Sequence, residues 1–188
     1  MINPINDMLV VVDYQMDFVT GSLGFPKALE LDDKLPKIIA DYHDRNQVIV
    51  VTLDTHDDNY LNTIEGKHLS IPHCEIGSDG WKLYGNTGKL ISYIDEKKYK
   101  YLHVFEKYKF GIDPYDILEL QRKYRNIKNI QLVGLVTNIC VFANAIIFQS
   151  AFPDAEIFIN KNCTASNDSE SELISFDAMK SLQINIVE

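Results

Sequence analysis

Cysteine is scarce in this chain, with only Cys74, Cys140 and Cys163 among 188 residues. An odd number in a chain of this length does not suit a disulfide framework. No two of them form a Cys-x-x-Cys pair, so a thiolate zinc site is not expected either. We therefore expect reduced thiols and a cytoplasmic protein.

Long apolar runs and an excess of positive charge are also missing. No apolar stretch is long enough to span a bilayer. The first residues, MINPINDMLVVV, lack the positive start and the cleavage site of a secretory signal. The net charge of −9 would repel the phosphates of nucleic acids and anionic membranes. We therefore expect neither nucleic acid nor a membrane as the partner.

Repeats, low-complexity tracts and linkers are absent too, which suits a single domain over residues 1–188. Short apolar runs alternate with helical segments. Strands are predicted at 8–12, 48–53, 101–105, 130–135, 155–159 and 184–187, and helices at 33–45, 114–124, 138–150 and 169–181. This order predicts an α/β fold of three layers, α/β/α, with a doubly wound and mostly parallel sheet.

Three of the predicted helices carry recognisable start signals. Pro36 falls in a first turn, where its missing N–H costs little. Asp113 is a candidate N-cap in front of Pro114. Ser169 and Glu172 have the spacing of a capping box.

Reactive side chains follow the predicted strands. Asp13 follows the first, Asp54 the second and Lys107 the third, while Cys140 comes after a short turn beyond the fourth. Because the carboxyl ends of parallel strands share one edge, where such sheets bind ligands, we expect these side chains to lie together.

Cys140 begins a predicted helix, where partial positive charge and free N–H groups favour a thiolate and lower the thiol pKa. A small buried apolar cysteine is the alternative. Asp13 is either a general base beside the thiol or a turn former, and Asp17 is interpreted as structural. Lys107 and Lys109 compete for the role of the cation that stabilises the thiolate.

A second group of residues has the chemistry of a metal site. Asp54 and His56 are two apart in an extended segment and therefore point to the same side. With His73 and Glu65 they make an oxygen and nitrogen set suited to zinc, iron(II) or manganese(II). His68 is a spare histidine that we expect to be exposed.

Taken in order, these residues resemble the isochorismatase-like cysteine hydrolases, and more closely the nicotinamidase subgroup of that superfamily. The matching segments cover nearly the whole chain: Asp13-x-Gln15-x-Asp17-Phe18, Asp54-Thr55-His56-Asp57, Pro72-His73-Cys74, Gly77-Ser78-Asp79-Gly80, Lys107 and Gly134-Leu135-Val136-Thr137-Asn138-Ile139-Cys140. The last of these is the most specific.

The resemblance implies the isochorismatase-like hydrolase fold with a triad of Cys140, Asp13 and Lys107. It also implies a cis peptide between Leu135 and Val136, and an oxyanion site made by the N–H groups of Val136 and Cys140. Hydrolysis of nicotinamide to nicotinate and ammonia through a cysteine thioester is the implied activity, which would serve NAD salvage.

For the metal, the resemblance implies one divalent ion that orients the pyridine ring, held by Asp54, His56 and His73. Glu65 matches a fourth ligand found in some nicotinamidases. Zinc is the expected ion, with iron or manganese as alternatives. Family members often form homo-oligomers, and such an assembly is compatible with this chain.

Substrate contacts are expected, by family position, from Phe18, Phe110, Leu135 and Val136, although each aromatic suits an ordinary core or lid role equally well. Three departures from the family affect the shape of the pocket. No serine follows Lys107, Asn138 stands where aspartate is common, and Trp81 replaces a smaller or polar residue.

Other functions stay open at this point. The chain resembles family hydrolases that act on other amides, carbamoyl compounds or vinyl ethers. A catalytically silent binding module on the same fold is another alternative. A nucleotide-binding α/β protein is disfavoured because no GxGxxG or P-loop motif follows a strand.

Overall fold

A six-stranded sheet and eight α-helices make up the computed structural model, which describes residues 4–188. The strands are β1 (Asp7–Val12), β2 (Val48–Asp54), β3 (Leu102–Lys107), β4 (Asn129–Leu135), β5 (Glu156–Ala165) and β6 (Asn185–Val187). The helices are α1 (Met16–Val19), α2 (Pro26–Leu29), α3 (Leu35–Asp44), α4 (Ile64–His68), α5 (Gly85–Glu96), α6 (Pro114–Lys123), α7 (Phe142–Ala151) and α8 (Ser169–Ser181).

All strand pairs are parallel, in the order β3-β2-β1-β4-β5-β6. The chain winds outward from β1 to β3 and then returns to the other side of β1 as β4. The winding therefore reverses between β1 and β4, which opens a crevice at the carboxyl ends of these two strands. The predicted doubly wound parallel sheet is confirmed.

The central strand β1 is buried on both faces, as its continuous apolar run predicts. Val10 packs with Phe148 of α7 on one face, in a core that α6 and α8 also supply. Val11 packs on the other face with Ile39 of α3 and Ile91 of α5. Each such buried side chain contributes about 1.5–3 kcal/mol relative to exposure. Helices cover both faces, which confirms the three layers.

Two strands extend beyond their predicted ends. β3 continues to Lys107, and β5 runs on from the predicted end at 159 to Ala165. The added part of β5 is largely polar, so its sequence gives no strand signal. It pairs with β4 all the same, after a register shift between Leu132 and Gly134. The pairing brings Thr164 beside Gly134 at the edge where the crevice lies.

The helix starts are partly as predicted. Asp113 caps α6 by accepting a hydrogen bond from the Tyr115 N–H at 2.8 Å. The predicted capping box of α8 is wrong, because Asp168 is the N-cap and accepts from two backbone N–H groups. Ser169 instead accepts a hydrogen bond from the Lys27 ammonium at 3.0 Å. The predicted helix 33–45 forms as α3, Leu35–Asp44, and a 3₁₀ turn, Glu30–Asp33, precedes it.

Helix α5 is absent from the sequence-based prediction. Its first turn contains Gly85 and Gly88, and no capping side chain precedes it. The cap comes from far away, since the carboxylate of Asp32 accepts from the N–H groups of Asn86 at 2.8 Å and Thr87 at 2.9 Å. A negative charge at a helix N-terminus is stabilising, and only the tertiary fold places it there.

Candidate active site and metal-binding cluster

Asp13 directly follows β1 with its backbone in the left-handed region, at a φ of 45°. Its Oδ1 atom accepts a hydrogen bond from the Thr52 hydroxyl at 2.7 Å, and the side chain is fully buried. On the other neighbouring strand, a Cβ at Gly134 would lie 2.1 Å from the Val12 carbonyl oxygen. Glycine is therefore required there for β4 to pass the end of β1.

Lys107 ends β3 and is 1% exposed. Its ammonium lies 2.7 Å from Asp13 Oδ2, 2.9 Å from Asp54 Oδ1 and 3.7 Å from Cys140 Sγ. Register explains part of this, because Lys107 is the cross-strand partner of Asp54 at the end of β2. Asp13, Lys107 and Cys140, called the nucleophile cluster below, therefore meet around one buried cation.

Cys140 lies in a π-helical turn, Thr137–Val141, rather than at the start of an α-helix as predicted. The turn follows a cis peptide bond between Leu135 and Val136, as the resemblance implies. The Val136 carbonyl accepts a hydrogen bond from the Val141 N–H at 3.1 Å, which closes the turn around the cysteine.

Burial dominates the protonation of the nucleophile cluster. It raises the pKa of Cys140, and the charge of Lys107 offsets this only in part. The pKa of Asp13 is raised for the same reason. Burial alone would lower the pKa of Lys107, but the facing groups Asp13, Cys140 and Asp54 raise it above its usual value. The expected lowering of the thiol pKa is therefore wrong, because a thiolate would add another negative charge beside two carboxylates that share one ammonium.

Four more side chains form a second buried cluster, called the donor cluster: Asp54, His56, Glu65 and His73. One ligand atom from each lies within 4.8 Å of the others. Asp54 Oδ2 is 3.1 Å from His56 Nε2 and 3.3 Å from His73 Nε2. Glu65 Oε1 is 3.8 Å from His56 Nε2, and its Oε2 is 3.0 Å from the Lys109 ammonium.

The side chains of the donor cluster direct their ligand atoms toward one another. Burial lowers the pKa of His73, but its hydrogen bond with Asp54 raises it overall, so a metal ion would displace a proton from this site. His73 Nδ1 is 2.8 Å from the Ile71 carbonyl, which can only accept, so Nδ1 carries the hydrogen and Nε2 faces the cluster. Burial raises the pKa of Asp54, but hydrogen bonds with His56 and His73 and the charge of Lys107 together hold it well below its usual value. Two imidazoles and two carboxylates make a donor set that fits zinc, iron(II) or manganese(II).

A cavity of about 200 Å³ joins the two clusters, with Cys140 on one wall and His73 on another. Its apolar lining is formed by Phe18, Leu23, Phe25, Leu69, Phe110 and Ile139. Pockets for drug-sized ligands are typically about 300–1,000 Å³. This cavity therefore suits a small, mostly apolar ligand that carries one group for the cysteine and another for a metal.

Comparison with known proteins assigns the chain to a family. Residues 7–187 match the family described as isochorismatase domain. The chain belongs to the isochorismatase family. It is 26% identical over 168 residues to the uncharacterized isochorismatase family protein PncA of Bacillus subtilis (strain 168), covering 86% of this chain and 87% of that protein.

Solved structures agree with this isochorismatase family assignment. The crystal structure of nicotinamidase PncA from Bacillus subtilis has a TM-score of 0.85 and 26% identity, covering 98% of this chain and all of that one (100%). A pyrazinamidase of Pyrococcus horikoshii in complex with zinc has a TM-score of 0.79 and 21% identity, covering 97% of this chain and 99% of that one. At that identity, the second likeness shows the fold alone.

The structure also distinguishes between the competing residues that spacing in the sequence left open. Lys107 contacts Cys140, whereas the Lys109 side chain is 60% exposed and pairs with Glu65. Asp17 accepts a hydrogen bond from the Cys74 N–H at 2.8 Å, which fits its structural interpretation. His68 is exposed and lies outside the donor cluster, as expected.

Among the expected substrate contacts, Phe18, Phe110 and Val136 line the cavity. The Leu135 side chain is fully buried in the core and is not part of the cavity lining, so its contact with substrate stays a prediction. Trp81 does not line the cavity either, and its indole N–H donates to the Thr55 hydroxyl at 2.9 Å. This departure from the family therefore lies outside the cavity lining.

Gln15 is a functional candidate to which the sequence assigned no role. Its side chain is fully buried. It donates to the Asp54 carbonyl at 2.9 Å and accepts from the Asp54 N–H at 2.8 Å. It also donates to the Trp81 carbonyl at 2.8 Å. Gln15 thus holds the backbone of a donor residue, and its place two residues after Asp13 was the signal for it.

None of the helices in residues 4–188 combines the length and the apolar character that a membrane crossing requires.

Proposed function

We propose that this chain is a nicotinamidase, a hydrolase that converts nicotinamide to nicotinate and ammonia through a cysteine thioester. The observation that carries the proposal is the pairing of the two clusters across one small apolar cavity. The nucleophile cluster suits attack on a carboxamide, and the donor cluster suits capture of a ring nitrogen. The likeness to the nicotinamidase of Bacillus subtilis supports the choice of substrate.

The substrate ring would lie between Phe18 and Phe110, in a cavity whose lining favours a neutral aromatic ring over a charged one. Asp54, His56, Glu65 and His73 would hold a divalent metal ion, which would supply a Lewis-acid position suited to the pyridine nitrogen. Apolar walls contributed by this chain exclude water and direct the carboxamide toward Cys140. Such orientation can supply several kcal/mol, up to about 7–11 kcal/mol in ideal cases.

Asp13 is the proposed base for the first step. Its Oδ2 atom faces the Lys107 ammonium and has no further hydrogen-bond partner among the described residues. That oxygen takes the thiol proton of Cys140 as sulfur attacks the amide carbon. Burial raises the pKa of Cys140, and the charge of Lys107 offsets this in part, so we propose that proton transfer to Asp13 accompanies the attack.

We propose that the N–H groups of Val136 and Cys140 donate hydrogen bonds to the amide oxygen and so stabilise the negative charge that develops on it. Loss of one such donor typically costs about 3 kcal/mol of transition-state stabilisation. Asp13 then returns its proton to the amide nitrogen, the C–N bond breaks, and ammonia leaves a thioester on Cys140.

Hydrolysis of the thioester reuses the same groups. Asp13 accepts a proton from water as the water oxygen attacks the acyl carbon. The C–S bond then breaks, nicotinate leaves, and the proton passes from Asp13 back to the Cys140 sulfur. Lys107 keeps its charge throughout and compensates whichever of the two groups is anionic.

We propose the rest of the biological setting on the same basis. Residues 1–188 would act as one domain in the cytoplasm, whose reducing conditions preserve the catalytic thiol. Zinc is the proposed metal, in keeping with the donor set of two imidazoles and two carboxylates.

The test is ammonia release from nicotinamide by purified protein, before chelation, after chelation, and after reloading with zinc, iron(II) or manganese(II). We expect release that is lost on chelation and regained with one of these ions. Circular dichroism would verify that the fold survives chelation. No release by any folded, metal-loaded sample would overturn the substrate assignment.

A further inference from the structure

One fully buried side chain, Asn144, joins two segments that border the cavity. It lies in α7, where its Nδ2 donates to the Cys140 carbonyl at 2.8 Å and to the Phe110 carbonyl at 3.2 Å. Its Oδ1 accepts a hydrogen bond from the Ile112 N–H at 3.0 Å. All three polar partners are backbone groups, two of them in the loop between β3 and α6 and one in the π-helical turn.

The arrangement of partners selects a carboxamide. Two carbonyl oxygens need donors, and the Ile112 N–H needs an acceptor. Only one orientation of the Asn144 side chain meets all three needs. An aspartate of the same shape would keep the acceptor and lose both donors. An alanine would lose all three bonds, and unpaired buried polar groups are costly.

The loop that Asn144 holds is part of the cavity wall. Phe110 lines the cavity beside Cys140. The next residue, Gly111, lies so close to α7 that an added Cβ would come 2.2 Å from Ile147 Cδ1. The loop therefore rests on the helix that follows the nucleophile, and the Asn144 carboxamide is the polar link between the two.

We propose that Asn144 is a positioning residue that fixes the Phe110 wall of the cavity relative to the Cys140 nucleophile. Its action is indirect, since it contacts the backbone at both places and does not reach the cavity. The kinetic part of this inference rests on the proposed amide hydrolysis. The structural part, that Asn144 couples the loop to the turn, stands without it.

The test compares Asn144→Ala and Asn144→Asp with a matched control, Gln47→Ala. Gln47 is likewise a buried side-chain amide, 3% exposed, and its amide oxygen accepts from the N–H groups of Asn6 at 3.0 Å and Asp7 at 2.9 Å. It lies at the opposite edge of the sheet, at the start of β2. It therefore reports the effect of losing buried hydrogen bonds without touching the cavity.

Two measurements are needed on each folded variant. Steady-state hydrolysis of nicotinamide should show kcat/KM about a hundredfold lower in both Asn144 variants, with kcat lower and KM higher, because small misplacements have effects of this size. Gln47→Ala should keep both constants. Amide hydrogen exchange should accelerate in residues 108–113 and 137–141 of the Asn144 variants, and not there in Gln47→Ala.

Each possible result supports or overturns the positioning role of Asn144. Wild-type kcat and KM in a folded Asn144→Ala protein would overturn the proposal, as would an equal loss in Gln47→Ala. If the alanine variant does not fold, Asn144→Asp decides, since it preserves the shape of the side chain. If the wild-type protein does not hydrolyse nicotinamide, the proposed function fails, and amide hydrogen exchange alone tests whether Asn144 couples the loop to the turn. Faster exchange spread evenly over the chain would then refute the coupling.

Discussion

The nucleophile cluster and the donor cluster are built in different ways, although the 2.9 Å contact between Lys107 and Asp54 joins them. The nucleophile cluster draws Asp13 and Lys107 from the ends of β1 and β3, and Cys140 from the π-helical turn that follows β4. The donor cluster takes only Asp54 from the sheet, while the other three donors come from the segment 55–73, which contains the short helix α4. Two of the three residues of the nucleophile cluster are therefore positioned by the sheet, whereas three of the four donors depend on how one connection folds.

Charge differs between the clusters as well. In the nucleophile cluster, one ammonium faces a carboxylate and a thiol at 2.7 Å and 3.7 Å. The donor cluster holds two carboxylates and two imidazoles, and the only ammonium partners among the described residues are Lys107 and the largely exposed Lys109. The nucleophile cluster thus has a buried ammonium of its own to offset its negative charge. The donor cluster shares that ammonium and, within residues 4–188, otherwise has only an exposed one, which leaves its two carboxylates suited to an added cation.

The largest effect is expected from breaking the nucleophile cluster at its sulfur. Cys140→Ser should lower kcat for amide hydrolysis about 10⁴-fold or more, as is typical when a nucleophile is removed. Cys163→Ser is the matched control, because this buried cysteine lies outside both clusters. Ammonia release measures both. Substantial activity in folded Cys140→Ser would remove this residue from the mechanism.

Breaking the link between the clusters should cost stability as well as activity. Lys107→Met leaves the fully buried Asp13 without its cation, so the free energy of unfolding should fall by about 3–5 kcal/mol. Urea denaturation at neutral pH measures this change. The control is Lys109→Met, where a largely exposed ion pair is lost and a change of about 1 kcal/mol or less is expected. Equal losses in the two variants would contradict the comparison.

The donor cluster is tested by metal affinity rather than by rate. His73→Ala removes a donor, and zinc should bind at least about a hundredfold more weakly, since even the loss of an outer partner costs 10–100-fold. His68→Ala, on the same segment but exposed and outside the cluster, should bind zinc like the wild type. Competition with a coloured chelator gives both dissociation constants. Unchanged affinity in His73→Ala would place the metal elsewhere.

A smaller effect is expected from His103, a partly buried basic residue on β3 that, unlike Lys107, has a lowered pKa. Burial and the nearby Lys123 lower the pKa of His103 to about 4. The native state therefore binds fewer protons than the unfolded state, whose histidine pKa is about 6.5. The stability present above pH 6.5 should be lost as the pH falls toward 4, by about 1 kcal/mol after allowance for solvent screening.

The variant His103→Gln isolates this contribution. Urea denaturation at pH 7.5 and pH 5.0 should show the wild type losing more stability than the variant on acidification. Lys107, on the same strand, shows the opposite case, because facing anionic groups raise its pKa. If the wild type and His103→Gln lose equal stability, the histidine is not the group responsible.

Much of the fold is predictable from sequence because buried parallel strands read as continuous apolar runs. Residues 8–12 and 48–53 are such runs, and both strands form. The signal fails where tertiary contacts replace local ones. The polar end of β5 forms a strand because it pairs with β4. Helix α5 forms despite two glycines in its first turn because Asp32 caps its N-terminus.

The candidate site is predictable in its residue types and less so in its geometry. The positions of Asp13, Asp54 and Lys107 at strand ends follow from the strand predictions, since such ends share an edge. The strand predictions do not select Lys107 over Lys109, because these lysines are only two residues apart and differ chiefly in burial. Leu135 and Val136 differ in the same way, because Val136 lines the cavity while the Leu135 side chain is buried in the core.

By itself, the sequence determined the class of fold, the edge of the sheet that carries the reactive groups, and the set of residue types brought there. These follow from hydrophobic pattern and chain order, which are local properties. Only the tertiary structure decided that burial raises the pKa of Cys140, that Lys107 bridges both clusters, and that Asn144 links the nucleophile turn to the cavity wall. Desolvation and hydrogen bonding depend on neighbours distant in sequence, and folding alone brings those neighbours together.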